Sequence, residues 1–299
     1  MDARRTRGLG LLLLGAGILG FAAVFVRWSA PASPLVIGFY RMLFALPGVL
    51  ALAGSDPAKA PPAGRPVAWA LGAGVFFISD LWLWHLSLRH TSAANATLLV
   101  GLSPLWVALT SMLLFGARLR RRAWGGLALA LAGACVLGFA RGARWGSGLG
   151  ELLGALASVS YAFFTLALAR ARQGLSARRS LAWVVVTCLA GFGLLAWLQG
   201  DPFGPFPWRA WASLAGLGIL VQVLAWWCIA WGLGHVDANL GSIGLLVQPV
   251  ATVGLGWLLL GESVKPVQGL GAALILAGIT LSALSPPSLP AGRPRAPAG

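Results

Sequence analysis

The chain is poor in charge, above all in acid. Seven Asp and Glu stand against twenty-two Lys and Arg in 299 residues, and charged residues of both signs make up only 10%, where a soluble domain carries about 25%. A soluble helical core needs amphipathic helices with a charged face, so that class is excluded. Cysteine is equally scarce. Cys135, Cys188 and Cys228 lie far apart in apolar stretches, with no CxxC or Cys/His spacing, which indicates neither a disulfide framework nor a metal site. No G-x-x-x-x-G-K-[ST] occurs, so the commonest ATP-binding loop is missing. HExxH, GxSxG and DxD are missing too. An enzyme acting on membrane lipid would need paired carboxylates, a metal cluster or a nucleophile near an interface. The sequence offers none of these, so no catalytic residue and no cofactor is expected. Lysine occurs twice, at Lys59 and Lys265; the dominance of arginine reflects base composition rather than function. The net charge of +15 forms no basic stripe interleaved with aromatics, which argues against nucleic acid as a partner.

Apolar residues are what the chain has in quantity. They make up 58% of it, and the mean hydropathy is +0.83. Short charged clusters separate apolar stretches of about 20 residues, the length that crosses a hydrocarbon core of about 30 Å. Ten spans are expected, at about 8–27, 34–53, 67–88, 93–115, 123–140, 150–169, 180–199, 210–232, 238–260 and 266–284. The tail 285–299, rich in Pro, Ala, Gly and Arg, is expected to be disordered. Arg4, Arg5 and Arg7 before an apolar run, with Ala30-Pro31-Ala32 after it, imitate a signal peptide. Prolines at 31 and 34 fit cleavage poorly and the run is long for a signal core, so the segment is read as a retained helix.

Two parts of the chain are copies of each other. Residues 88–135 and 233–280 align without gaps at an offset of 145: His90 with His235, Pro104 with Pro249, Gly116 with Gly261, Gly126 with Gly271, and Leu131-Ala132-Gly133 with Leu276-Ala277-Gly278. A duplicated hydrophobic segment marks a transporter built from structural repeats. With the N-terminus inside, fifteen Lys and Arg fall on the cytoplasmic side and six outside (Arg27, Arg89, Arg141, Arg144, Arg209, Lys265), Arg41 lying within a span. The positive-inside rule therefore puts both termini in the cytoplasm. Five spans per half is odd, so the halves 1–145 and 146–284 enter the membrane from opposite sides. The expected architecture is an all-α membrane protein of two inverted five-helix repeats with a site between them.

A family resemblance rests on particular segments. Thr91-Ser92-Ala93-Ala94 running to Ser103-Pro104, and Ala238-Asn239 through Gln248-Pro249 to Leu260-Gly261-Glu262, look like the fourth and ninth spans of drug/metabolite transporters. Gly271-Ala272-Ala273-Leu274-Ile275-Leu276-Ala277-Gly278 resembles the tenth, and Arg41-Met42-Leu43-Phe44-Ala45 the arginine-bearing second. The chain is closest to the EamA-type ten-helix branch over nearly all of 8–284. It departs at Phe115-Gly116-Ala117, which lacks the glutamate that Glu262 supplies in the second half. The resemblance implies transport of small metabolites and suggests amino-acid export, aromatic amino acids included, from a bacterial cell.

Asp80 is the one acidic residue deep inside a span. A charge at a helix centre costs about 2.5–3.5 kcal/mol on insertion scales, so it is functional or paired. Phe77, Trp84 and Ser87 share its helical face. Arg41 lies about seven residues from the outer end of its span and Asp80 about eight from the outer end of the next, so the two have similar depth at 1.5 Å per residue. Two readings stay open: a structural ion pair with Arg41, or contact with a substrate ammonium or proton. His85, one turn on, is a second coupling candidate because histidine changes charge near neutral pH. His90 and His235 are expected to cap the fourth and ninth helices.

Of fifteen tryptophans, Trp28, Trp124, Trp145, Trp208 and Trp211 are placed as interfacial anchors. Trp82, Trp84, Trp106, Trp226 and Trp227 lie deeper, either lining a cavity or facing lipid. Ser158, Tyr161 and Thr165 share one face of the sixth span. Gln222 is in the eighth, Ser242 and Gln248 are in the ninth, and Asn95 and Ser103 are in the fourth. Such groups must find partners inside a bilayer. They fix a small substrate or join helix to helix. Pro104 and Pro249 free carbonyls near midspan and are candidate hinges. Gly126/Gly133 and Gly271/Gly278 form flat faces that pack the repeats or make a dimer.

The leading expectation is an inner-membrane secondary carrier for amino acids or similar metabolites, directed outward and working by alternating access. Its partners are a small-molecule substrate and membrane lipid, with monomer and homodimer both open. The alternative carrier is a proton-coupled exporter of drugs or other metabolites. A non-transporting scaffold would leave Asp80 and the duplication unexplained.

Overall fold

The structure is a computed structural model that describes residues 3–55, 64–90, 99–116, 119–140, 148–260 and 265–284. Every regular element among them is helical, as hydrocarbon requires: an isolated span has no water to satisfy its amides, and the helix satisfies them internally. The helices in chain order are α1 (Ala3–Trp28, interrupted at Gly20), α2 (Pro34–Gly54), α3 (Arg65–His90), α4 (Ser103–Phe115), α5 (Arg121–Ala140), α6 (Leu149–Ala171), α7 (Ala177–Gln199), α8 (Trp208–Leu233), α9 (Ala238–Gly244 and Val247–Leu260) and α10 (Pro266–Ala283). All but α4 contain a stretch long and apolar enough to cross a membrane. The fourth expected span is therefore met only in part: α4 is a shorter apolar helix, and residues 91–98, with Asn95 among them, lie outside the described residues. The tail 285–299 does too.

Local chemistry sets the helix ends. Ser33 Oγ accepts from Val36 N at 3.3 Å and Pro34 follows at the first helical position, so α2 starts there. Ser176 Oγ accepts from Arg179 N at 3.2 Å to start α7. Gly116 and Gly200, at φ 60° and 68°, end α4 and α7 in the left-handed conformation that glycine takes without penalty. Asp237, not His235, caps α9: its carboxylate accepts from Leu240 N at 3.0 Å. His235 turns back instead, with Nδ1 2.8 Å from the Trp231 carbonyl and its ring 3.8 Å from that of Trp231. His90 is exposed at the end of α3, and the stretch it was expected to cap lies outside the described residues.

Besides α1, interrupted at Gly20, three helices are locally irregular. α9 breaks at Leu245-Leu246 just ahead of Pro249, and α4 begins after a turn at Gly101-Leu102 just ahead of Pro104. Proline has no N–H for the carbonyl four residues back. Tighter bonds take up the turn, Gln248 N to Leu245 O at 3.0 Å and Leu105 N to Leu102 O at 2.9 Å. In α8 the stretch Leu217–Ala225 is a π-helix.

The packing is dominated by α3 against α6, α5 against α10, α2 against α7 and α1 against α8, with α3·α7, α2·α8, α4·α6 and α1·α9 next. The α5–α10 seam runs through the predicted glycines. A Cβ on Gly133 would stand 2.5 Å from the Gly271 carbonyl, and one on Gly278 would stand 2.5 Å from that of Gly126. Only hydrogen fits there, and the pairing of 126 with 278 and 133 with 271 makes the two helices antiparallel. Of the two uses foreseen for these faces, helix contact within the chain is the one observed. The largest buried cluster lies where α1, α2, α3, α6, α7 and α8 meet.

Candidate functional site

Within that cluster lie the two intramembrane charges. Asp80 on α3 is 4% exposed and Arg41 on α2 is 8% exposed. Of the two readings left open for Asp80, the structural ion pair is not formed: no Arg41–Asp80 contact is within salt-bridge distance. Equal depth along two helices does not fix the direction in which side chains leave them. Arg41 Nε instead donates to Gln222 Oε1 of α8 at 2.8 Å, and its guanidinium stands over the Phe77 ring at 5.6 Å, a cation–π arrangement. Arg41 and Asp80 remain close enough to interact electrostatically, and Tyr161 and Cys188 share that environment. Asp80 Oδ1 is fully buried with no hydrogen-bond partner, an arrangement that costs about 1–3 kcal/mol or more for a charged group.

Aromatic rings wall the charges. Phe77 stacks on Phe164 of α6 at 4.7 Å, and Trp226 of α8 stands edge-on to both, 5.6 Å from Phe77 and 5.0 Å from Phe164. Tyr161 lies 5.8 Å from Phe164. Trp226 is 3% exposed, and its Nε1 has no acceptor; the Nε1 of Trp227 is likewise buried without one. Cys188 Sγ on α7 donates to the Gly74 carbonyl at 3.5 Å. The π-helical stretch of α8 carries Gln222, and such insertions recur at functional sites because they displace a side chain from α-helical register.

The other expected site residues divide. Asp80, Tyr161, Gln222 and Trp226 come together as described. Ser158 and Thr165 are buried but satisfied within α6: Ser158 Oγ donates to the Ala155 carbonyl at 2.8 Å and Thr165 Oγ1 to that of Tyr161 at 2.9 Å. Ser158 also accepts from Trp106 Nε1 of α4 at 2.8 Å, joining helix to helix. Ser242 donates to the Asn239 carbonyl at 2.8 Å, and the Gln248 carbonyl accepts from Thr252 at 2.9 Å, both within α9. Trp84 is half-buried on α3. The side chain of His85 and all of Asn95 lie outside the described residues. Trp82, the repeat counterpart of Trp227, is 38% exposed and faces outward. Pro104 and Pro249 sit at the breaks of α4 and α9 rather than in the charged cluster.

Sequence reasoning missed Phe164, Cys188 and Asn239. Phe164 follows Tyr161 by three residues, on the same helical face, and that spacing could have found it. Asn239 Oδ1 is buried without a partner. Nothing in the spacing of Cys188 placed it beside Arg41.

Both ends of the bundle are tied. On one side Ser33 Oγ donates to Asp201 Oδ2 at 2.7 Å and Tyr40 Oη to the Phe203 carbonyl at 2.7 Å, while Tyr40 and Trp211 meet at 4.8 Å and Arg209 lies 4.9 Å over Trp28. On the other, Arg178 donates to the Ser55 carbonyl at 2.8 Å, and Arg172 donates to the carbonyls of Ala230, at 2.7 Å, and Leu175. Trp208, at 81% exposed, fits the anchor expected of it; Trp211 is packed into the Tyr40 cluster, Trp28 and Trp124 are half-buried, and Trp145 lies outside the described residues. Among the described residues no three His, Cys, Asp or Glu side chains converge as metal ligands. What the buried cluster can do is bind: it offers one cation, one anion and an aromatic wall, with polar atoms left over.

Comparison with known proteins gives this site its setting. The EamA-like transporter family matches the chain twice, over residues 6–139 and 148–284. A protein of Archaeoglobus fulgidus named "Uncharacterized transporter" is 26% identical over 277 residues, which are 92% of this chain and 96% of that one. A protein of Streptantibioticus cattleyicolor named "Probable terminal-alkyne amino-acid exporter" is 30% identical over 197 residues, 64% of each chain. A crystal structure of another protein superposes with a TM-score of 0.78 at 22% identity, covering 93% of this chain and 98% of that one, and shows the same fold. The chain is a multi-pass membrane transporter and belongs to the EamA-like transporter family.

Proposed function

We propose that the protein is a secondary carrier of a bacterial inner membrane, not an enzyme, that exports amino acids and related small metabolites. Aromatic side chains are within its range. It works by alternating access through a central site between two inverted five-helix repeats, 1–145 and 146–284, with both termini in the cytoplasm and 285–299 as a tail. The observation that carries this reading is the buried cluster. Arg41, Phe77 and Asp80 come from the first half, and Tyr161, Phe164, Gln222 and Trp226 from the second.

The helix contacts support the repeat arrangement. Exchanging each helix with its counterpart five places on turns α3·α6 into α8·α1, α3·α7 into α8·α2 and α4·α6 into α9·α1, all of which occur, and leaves α2·α7 and α5·α10 unchanged. Across the antiparallel α5–α10 seam Gly126 faces Gly278 and Gly133 faces Gly271, two contacts that the repeat offset of 145 exchanges with each other. The family matches once in each half. The breaks ahead of Pro104 and Pro249 resemble the discontinuous helices found in carriers with inverted repeats. The relative named for amino-acid export supports the substrate class.

A second reading is a proton-coupled exporter of lipophilic cations. Asp80 favours it, as a carboxylate in aromatic surroundings with Oδ1 unpartnered. Uptake of a panel of labelled amino acids into liposomes holding the purified protein, with and without a pH gradient, separates the two. Saturable amino-acid uptake supports the first reading. Uptake of lipophilic cations alone, driven by the gradient, replaces it with the second.

A further inference from the structure

Two opposite charges buried in one cluster ordinarily close on each other, because each is costly alone. Here they do not. Arg41 spends Nε on Gln222 and leans on the ring of Phe77, and its terminal nitrogens make no hydrogen bond among the described residues. Asp80 keeps Oδ1 without a donor, and Trp226 keeps Nε1 without an acceptor. The neutral amide of Gln222 enters from a π-helical turn of another helix, so the contact that holds the guanidinium adds no charge of its own.

We propose that Gln222 is a positioning residue that holds the Arg41 guanidinium off Asp80, and that this divided ion pair is a receptor for a net-neutral zwitterion. The ligand's ammonium sits on Asp80, its carboxylate sits on the terminal nitrogens of Arg41, and its apolar part lies against Phe77, Phe164 and Trp226. The inference rests on the reading of this cluster as the transport site. It makes Arg41 a ligand-binding residue rather than a structural counter-ion, and Gln222 a holder of Arg41 rather than a contact of the ligand.

Electrostatics gives the discrimination. An organic cation would gain Asp80 but meet Arg41 in the same low-dielectric volume, and an organic anion would gain Arg41 but meet Asp80. A zwitterion satisfies both and leaves the loaded site uncharged, so no net charge is carried through the hydrocarbon with it. A bare carboxylate in an aromatic cage would have ranked the cation first.

The test uses three ligands with one side chain: phenylalanine, its amide (a cation at mildly acid pH) and phenylpropionate (an anion). Binding is followed by tryptophan fluorescence on the purified full-length protein, with monodispersity in detergent as the folding control. The wild type binds phenylalanine about tenfold or more tighter than either analogue, a gap of about 1.4 kcal/mol. Arg41→Gln passes the preference to the amide, and Asp80→Asn passes it to phenylpropionate. Either variant alone is a sufficient test if the other fails to fold. Gln222→Leu weakens phenylalanine about tenfold, and Gln222→Glu, which keeps an acceptor for Nε but adds negative charge, recovers binding and shifts it toward the amide. A residue that merely supported packing would not move the order of the three ligands. Phenylalanine binding with that order unchanged in both Arg41→Gln and Asp80→Asn overturns the divided-pair receptor and leaves the amino-acid reading standing. Binding of none of the three by the wild type overturns the amino-acid reading, and this inference with it.

Discussion

Arg41 donates from Nε to Oε1 of Gln222 at 2.8 Å, joining α2 to the π-helical turn of α8 across 181 positions of sequence. A buried guanidinium deprived of that acceptor carries the full cost of an unmet donor, about 1–3 kcal/mol. Gln222→Leu is therefore expected to lower the melting temperature in detergent by several degrees, and Gln222→Glu to lower it less. Equal melting temperatures for Gln222→Leu and wild type would mean that the contact contributes nothing to stability.

Asp80 and Tyr161, both within the buried region around Phe77 and Phe164, come from opposite halves of the chain. Asp80→Asn removes the charge at nearly constant volume, and Tyr161→Ala opens a void beside Phe164. Both are expected to insert into the membrane at wild-type levels and to lose about tenfold or more in flux, equivalent to about 1.4 kcal/mol. Normal flux in both variants, measured in proteoliposomes, would remove these residues from the site.

The α5–α10 seam has no room for a side chain at Gly133 or Gly278. Overpacking a close contact costs about 1–3 kcal/mol, so Gly133→Val and Gly278→Val are each expected to destabilise the protein by that order. Gly254, where an added Cβ meets nothing within 4 Å, is the control: Gly254→Ala should leave the melting temperature unchanged or slightly raised. Thermal unfolding of the three variants reads the difference directly.

Asp237 has two separable tasks. It caps α9 through Leu240 N at 3.0 Å and faces Arg5 at 3.9 Å. Asp237→Ala loses both and is expected to cost about 1 kcal/mol, as N-cap removal does. Asp237→Asn keeps a capping oxygen and loses only a partly exposed ion pair, worth about 0–1 kcal/mol. If the two variants melt together, the cap is not what holds the start of α9.

The fold was legible where hydrophobic length decides it. Nine of the expected spans coincide with long apolar helices to within a few residues, because the bilayer permits one backbone solution for a long apolar run. The breaks before Pro104 and Pro249 were legible from the missing N–H. The glycine seam was legible from its spacing, although its partner was not. The π-helix of α8 left no mark, since the apolar pattern of 217–225 reads the same in either register. The site was half legible. Asp80 stood out by its cost, and its depth matched that of Arg41, yet depth along an axis says nothing of azimuth, and the guanidinium went to Gln222. Ser158 and Thr165 looked like substrate fixers because they share a face with Tyr161. Their hydroxyls turned back to carbonyls three and four residues earlier, the local alternative open to Ser and Thr in any helix.

The most direct test of a carrier with its site at Asp80 and Arg41 is counterflow. Liposomes holding the purified protein are loaded with unlabelled phenylalanine, diluted into a trace of the labelled compound, and followed for transient accumulation against the gradient. The account predicts a saturable overshoot in the wild type that Asp80→Asn and Arg41→Gln each abolish. An overshoot of equal size in both variants, or its absence in the wild type alongside gradient-driven uptake of lipophilic cations, would contradict it.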